Sequence, residues 1–256
     1  MKLLIKKIAN SNLGIYLRNK FNLKPLIFNI SKIKNSSVSD AFIWRTDNNF
    51  QTKFKYTDIF NIYYKIPNSV VEVIFYSKDN QFIKKLRIDK LNLSNELIID
   101  KSFFNGLEDF GIFYIYHYTD QNLNDETIIS NRCYLGYSKN NNLFSFMHGN
   151  TYASYKNVSG LDSKKNDIIQ TSFLANQNYT IQKNFDNFDK SELIFTNPTS
   201  KNISINIGNM SYTLKKRCAL MINIEKETII SFKSNCYFLR PVVFSYKNDF
   251  IDVHHS

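Results

Sequence analysis

Four histidines, His117, His148, His254 and His255, are the residues of this chain best suited to holding a metal ion or moving a proton. Imidazole changes charge near neutral pH and is the commonest metal-ligating side chain. His148 sits in Met147-His148-Gly149-Asn150, where the glycine admits close backbone approach and Asn150 is placed to orient an imidazole or a ligand. Asp252 and His254 are two positions apart and project to the same side of a strand. With His148 they make a three-ligand set of the kind catalytic zinc sites use, and His255 is a further metal candidate. The competing reading treats the adjacent pair His254 and His255 as solvated, and His117, inside an aromatic strand, as a hydrogen-bonded core residue.

A second chemistry is sugar recognition, in which exposed aromatic rings stack on sugar faces while amides and charged groups bond hydroxyls. Three clusters near strand ends have these residue types: Trp44 with Arg45 and Asp47, Tyr134 with Arg132, and Tyr152 with Asn150. The polar stretch Arg45-Thr46-Asp47-Asn48-Asn49 is expected to leave the ring of Trp44, the sole tryptophan, near the surface. The alternative is that Trp44 plugs the end of a hydrophobic core.

Other chemistries lack their motifs. The seven glycines are isolated, so no phosphate-cradling loop is present, and GxSxG, HExxH and kinase signatures are missing. No cofactor is expected. Cys133, Cys218 and Cys236 have no CxxC spacing and an odd count, which fits neither a zinc ribbon nor a disulfide framework; they read as small core residues. The net charge of +11 is uneven, because residues 1–37 carry eight Lys and Arg with no Asp or Glu. Lysine dominates over the six arginines, whereas phosphate and base contacts favour arginine, so nucleic acid is not the expected partner. Abundant Lys, Asn, Ile, Phe and Tyr match the codon bias of an A/T-rich genome.

The elements that must position these residues are strands. Residues 1–37 read as a basic amphipathic helical leader: Leu3, Leu4, Ile5 and Ile8, then Leu13, Tyr16 and Leu17, recur at helical spacing opposite lysines. From residue 38 onward the period is two. Residues 50–56 alternate Phe50, Thr52, Phe54 and Tyr56 against Gln51, Lys53 and Lys55, one face dry and one wet. Residues 110–118 form a nearly continuous apolar run, as in a strand buried on both faces or nearly so. Hairpins are expected at 70–77 with 82–88, and at 132–138 with 143–149 around Lys139-Asn140-Asn141-Asn142. An even-length loop there sets Cys133 against His148, Leu135 against Phe146 and Tyr137 against Phe144; an odd-length loop breaks that pairing.

Strand rhythm with turn signals continues beyond a linker candidate at 151–167. The expected fold is all-β: two consecutive antiparallel β-sandwich domains, immunoglobulin-like or jelly-roll-like, at 38–155 and 156–256, after the leader. The expected function is a non-enzymatic binding or accessory protein. It recognises carbohydrate or takes part in surface-glycan assembly, with carbohydrate or another protein as partner. Residues 1–37 would dock on an anionic membrane surface, placing the protein in the cytoplasm at the inner membrane face. The alternatives are a metal- or His-dependent hydrolase acting on a sugar or acyl group through His148, Asp252 and His254, and a structural or assembly subunit without a ligand site.

Overall fold

The computed structural model describes residues 11–21, 34–123, 127–131, 133–150, 152–160, 163–169, 176–181, 187–224, 230–236 and 239–255. Helix α1 (Asn12–Lys20) is followed by β1 (Ser36–Asp40), β2 (Phe42–Arg45), β3 (Phe50–Thr57), α2 (Ile59–Tyr64), β4 (Val70–Ser77), β5 (Phe82–Ile88), β6 (Ser94–Ile99) and β7 (Phe110–Tyr118). Next come β8 (Ile128–Ser130), β9 (Tyr134–Lys139), β10 (Ser145–His148), β11 (Tyr152–Asn157) and β12 (Asn166–Asp167). The remaining strands are β13 (Gln177–Ile181), β14 (Lys190–Thr196), β15 (Ile203–Ile207), β16 (Met210–Leu214), β17 (Ala219–Ile224), β18 (Ile230–Ser234), β19 (Val242–Lys247) and β20 (Phe250–His255). The fold is all-β, as the period of two in the sequence implies.

Strands β1–β12 form three four-stranded sheets, ordered β12-β11-β1-β8, β2-β7-β4-β5 and β10-β9-β3-β6, while β13–β20 form two, β13-β18-β15-β16 and β17-β14-β19-β20. Pairing is antiparallel except between β1 and β8. The β2-β7-β4-β5 and β10-β9-β3-β6 sheets meet through an aromatic core in which Phe42, Phe54, Phe75 and Phe113 lie with ring centres 4.8–5.3 Å apart. Each such buried ring contributes about 1.5–3 kcal/mol of transfer free energy. The wet–dry alternation of β3 is realised: Phe50, Phe54 and Tyr56 are buried and Lys55 is exposed.

Strand β7 is buried on both faces, as its nearly continuous apolar run implies. Phe113 faces the aromatic core, while Tyr116 turns to the β1 sheet, where its hydroxyl lies 2.6 Å from Ser154 Oγ. Ser37 and Ser39 of β1 reach across, their hydroxyls accepting the backbone N–H of His117 (2.8 Å) and Ile115 (2.9 Å). The central strands β14 and β19 of the β17-β14-β19-β20 sheet are likewise buried on both faces. Leu193, Phe195 and Val243 pack on the β15 sheet, and Ile194, Val242, Phe244 and Tyr246 join the core of the first sheets.

Helix α2 is absent from the strand pattern of the sequence. Asp58 caps it, accepting Asn61 N–H at 3.1 Å and the Ser69 hydroxyl at 2.7 Å, and Lys65 ends it in the left-handed conformation. In α1 the side chains of Leu13, Tyr16 and Leu17, followed by Phe21, are exposed. The apolar turn expected over residues 1–8 lies outside the described residues. Among the described residues no helix is long and apolar enough to cross a membrane.

Candidate functional site

The β10-β9-β3-β6 sheet carries the site on its outer face. Its hairpin is one residue out of the even-loop register: His148 opposes Tyr134, Met147 opposes Leu135, and Phe146 opposes Gly136. Asn140 and Asn141 both take positive φ (54° and 59°), a conformation asparagine tolerates well, and the odd-length connection they form shifts the pairing. The expected juxtaposition of Cys133 with His148 is thereby corrected. Cys133 is buried in the core, where burial holds its thiol well above the ordinary value, and His148 stands on the wet face.

The register builds two rows across the sheet. One runs His148, Tyr134, Lys55, Glu96; the next runs Phe146, Gly136, Lys53, Ile98. The Phe146 ring lies so close over Gly136 that a Cβ there would stand 2.5 Å from its edge. The lysines spread over the rings: Lys53 Nζ is 4.7 Å from the centre of Phe144 and Lys55 Nζ 5.2 Å from that of Phe146. Glu96 sits 3.1 Å from Lys53 Nζ and 3.7 Å from Lys55 Nζ.

Alongside the first of these rows opens a cleft of about 610 Å³, lined by Lys55, Thr57, Tyr63, Ser94, Ser130, Asn131, Tyr134 and His148 with Tyr56, Ile59 and Cys133. Two of its tyrosines are the most accessible aromatic groups there, Tyr63 at 75% and Tyr134 at 60%. Asn131 is spent on the fold: its amide donates to Thr57 O at 3.2 Å and its oxygen accepts Cys133 N–H at 3.1 Å. Ser130 Oγ is buried beneath the cleft surface without a hydrogen-bond partner among the described residues. The cleft thus offers two aromatic faces, an amine, an imidazole and several hydroxyls.

The other sequence candidates go elsewhere. Trp44 is fully buried, its ring tilted by 55° against Phe104 with centres 4.5 Å apart and its indole N–H donating to Tyr76 O at 2.9 Å, so the expectation of a surface ring is corrected. Arg45 is also fully buried. Its guanidinium donates to both carboxylate oxygens of Asp47 (3.0 and 2.8 Å), to Glu192 Oε2 (2.7 Å) and to Tyr246 Oη (3.2 Å), between the rings of Phe50 and Phe244. This cluster joins the two groups of sheets and has no free donor geometry for a sugar. Asn150 donates its amide to Arg240 O at 2.8 Å, and Tyr152 packs beside Val38 and Ile168. Arg132 lies outside the described residues.

The histidines do not assemble as a triad with Asp252. Asp252 and His254 share a side of β20, 3.9 Å apart, but the ring of His148 meets His255 instead, with their Nε2 atoms 3.3 Å apart. His117 is a core residue; burial pushes its imidazole down to about 4, and its Nε2 lies 3.4 Å from the Asn131 amide. Among the described residues no group of three His, Cys, Asp or Glu side chains converges as a metal cage.

Tyr63 and Lys55 are the site residues the sequence reading passed over. Lys55 had a signal, its place on the wet face of 50–56; Tyr63 had none, because the sequence pattern assigns no element between the strands at 50–56 and 70–77. No family model matches the chain, and no curated protein matches it. A solved structure described as an anti-sigma factor domain-containing protein is similar at 11% identity, covering 84% of this chain and 80% of that one, with a TM-score of 0.23; a likeness of that size carries no argument.

Proposed function

We propose that this protein is a non-enzymatic carbohydrate-binding protein whose ligand lies in the cleft between Tyr63 and Tyr134. The observation that carries the reading is the meeting of those two exposed rings with hydroxyl, amine and imidazole groups in one cleft of about 610 Å³. Sugar rings present C–H faces that stack on tyrosine and hydroxyls that exchange hydrogen bonds with Lys55, Ser94 and His148, so both halves of the chemistry are met at one place. Lys53, Lys55 and the Phe144–Phe146 pair extend the same face beyond the cleft, giving room for a chain of more than one residue.

The test is titration of glycans, chosen from an array screen, against the full chain and its Tyr63→Ala and Tyr134→Ala variants. Each variant should weaken binding about tenfold, a loss of about 1.4 kcal/mol. Absence of any glycan binding, or binding indifferent to both substitutions, removes the reading.

Peripheral attachment through the leader belongs to the same proposal. What supports it is the exposed stripe Leu13, Tyr16, Leu17 and Phe21 on a segment whose charges are all positive. Apolar side chains beside unopposed lysines suit an anionic lipid surface, which takes up both. Co-sedimentation with phosphatidylserine-containing vesicles should be lost in the Leu13→Glu/Leu17→Glu variant. Equal partitioning of variant and parent would dismiss attachment by this route.

A further inference from the structure

We propose that His148 and His255 form a two-histidine site for a zinc-class divalent transition-metal ion at the seam where β10 meets β20. The seam is built independently of the rings: Ser145 Oγ accepts Val253 N–H at 3.0 Å and Asn142 Nδ2 donates to Asp249 O at 3.1 Å. Those bonds tie the two strands together across more than a hundred positions of sequence and bring one histidine from each to the same place.

The geometry is that of a ligand pair. Two imidazole nitrogens bound to one ion at about 2.0–2.1 Å in tetrahedral arrangement stand about 3.3–3.4 Å from each other. The Nε2 atoms of His148 and His255 are 3.3 Å apart, with ring centres 4.5 Å apart and planes inclined by 60°. Without an ion the same separation lies within the range of an N–H···N hydrogen bond between the two rings, which the metal would replace.

The tautomer of His148 is set for metal binding. Its Nδ1 lies 2.7 Å from the Gly149 carbonyl oxygen, which can only accept, so Nδ1 carries the proton and Nε2 presents its lone pair. A backbone carbonyl on the far nitrogen is the common outer support of a metal-bound histidine, fixing both tautomer and ring direction. With no third His, Cys, Asp or Glu among the described residues completing the group, the other coordination positions belong to water or to an oxygen of a bound molecule. His148 also lines the cleft, which puts the ion at its margin. His254 and Asp252, on the other side of β20, take no part.

The experiment is calorimetric titration of zinc chloride into the untagged full chain at pH 7.5, with His148→Gln, His255→Gln and His254→Gln variants, all checked for folding by circular dichroism. The expected result is one ion per chain, with affinity reduced about tenfold or more by either of the first two substitutions and changed less than about twofold by the third. Loss of binding in His254→Gln equal to that in His255→Gln would mean loose chelation by the adjacent pair and would overturn the site, as would no binding at millimolar zinc. A measurement that needs no variant is the imidazole proton spectrum: two of the four histidines should shift together at one equivalent of zinc, and a spectrum in which none or all shift also overturns it.

Discussion

Replacing Arg45 with methionine tests the joint between the two groups of sheets. The substitution removes four donated hydrogen bonds, two to Asp47 and one each to Glu192 and Tyr246, while methionine keeps much of the packing between Phe50 and Phe244. The exposed edge of Asp47 regains water, but Glu192, with a side chain only 6% exposed, keeps Tyr246 and a more distant Lys190. Leaving a buried carboxylate without its main cation costs about 3–5 kcal/mol. In a chain of this size that corresponds to a fall in Tm of roughly 6–20 °C. Urea denaturation followed by the fluorescence of Trp44, the sole tryptophan and a core residue, reads the loss directly.

The decisive comparison is with Arg45→Met/Glu192→Gln. Removing the carboxylate's charge as well takes away the uncompensated ion, so the double variant should lose less than the sum of the singles by at least about 1 kcal/mol. Additive losses, or an Arg45→Met loss below about 1 kcal/mol, would refute the joint. The pH dependence has a definite sign. Burial raises the Glu192 carboxyl, but Arg45, the Tyr246 hydroxyl and Lys190 outweigh it and hold the group below its ordinary 4.5. Its contribution is therefore full above that value and is lost as the pH falls through the lower folded value, so parent and Arg45→Met should converge in acid.

Other outcomes follow from single side chains. His117, held down to about 4 by burial, refuses the proton that the unfolded chain accepts near 6.5. Stability should therefore be full above pH 6.5 and decline toward pH 4 by about 3 kcal/mol, and His117→Gln should flatten that slope in pH-dependent urea melts. Gly111→Ala should destabilise by about 1–3 kcal/mol or more, because its Cβ would stand 2.1 Å from the Tyr76 carbonyl oxygen and 2.8 Å from the Trp44 indole nitrogen, breaking their hydrogen bond. Gly136→Ala meets only the far edge of the Phe146 ring, which can swing away, so thermal melts should show a cost under about 1 kcal/mol while glycan affinity changes.

Much of the fold was legible because alternation is a local property. The buried Phe50, Phe54 and Tyr56 and the exposed Lys55 of β3, and the twice-buried β7, can be read from a window of nine residues. The hairpin register was not, since it hung on whether Asn140 and Asn141 would both turn left-handed, a choice of about 1–2 kcal/mol that either loop length could accommodate. Of the candidate site, Tyr134 and His148 were visible as an exposed ring and an imidazole near strand ends. Their neighbours Lys55 and Tyr63 come from β3 and α2, and no local pattern announces which strand will lie alongside.

Residue types and their period settled that this chain makes stacked antiparallel sheets, that its cysteines fill the core, and that its unopposed positive charge gathers in residues 1–37. Whether Trp44 and Arg45 meet solvent or vanish inside was a matter for distant chain. Arg45 finds its carboxylate in Glu192, 147 positions away, and His148 finds His255 after 107. A strand's own pattern says which side is greasy; which surface then closes over a polar tip depends on how whole sheets dock, and that free energy is shared among side chains far apart in sequence.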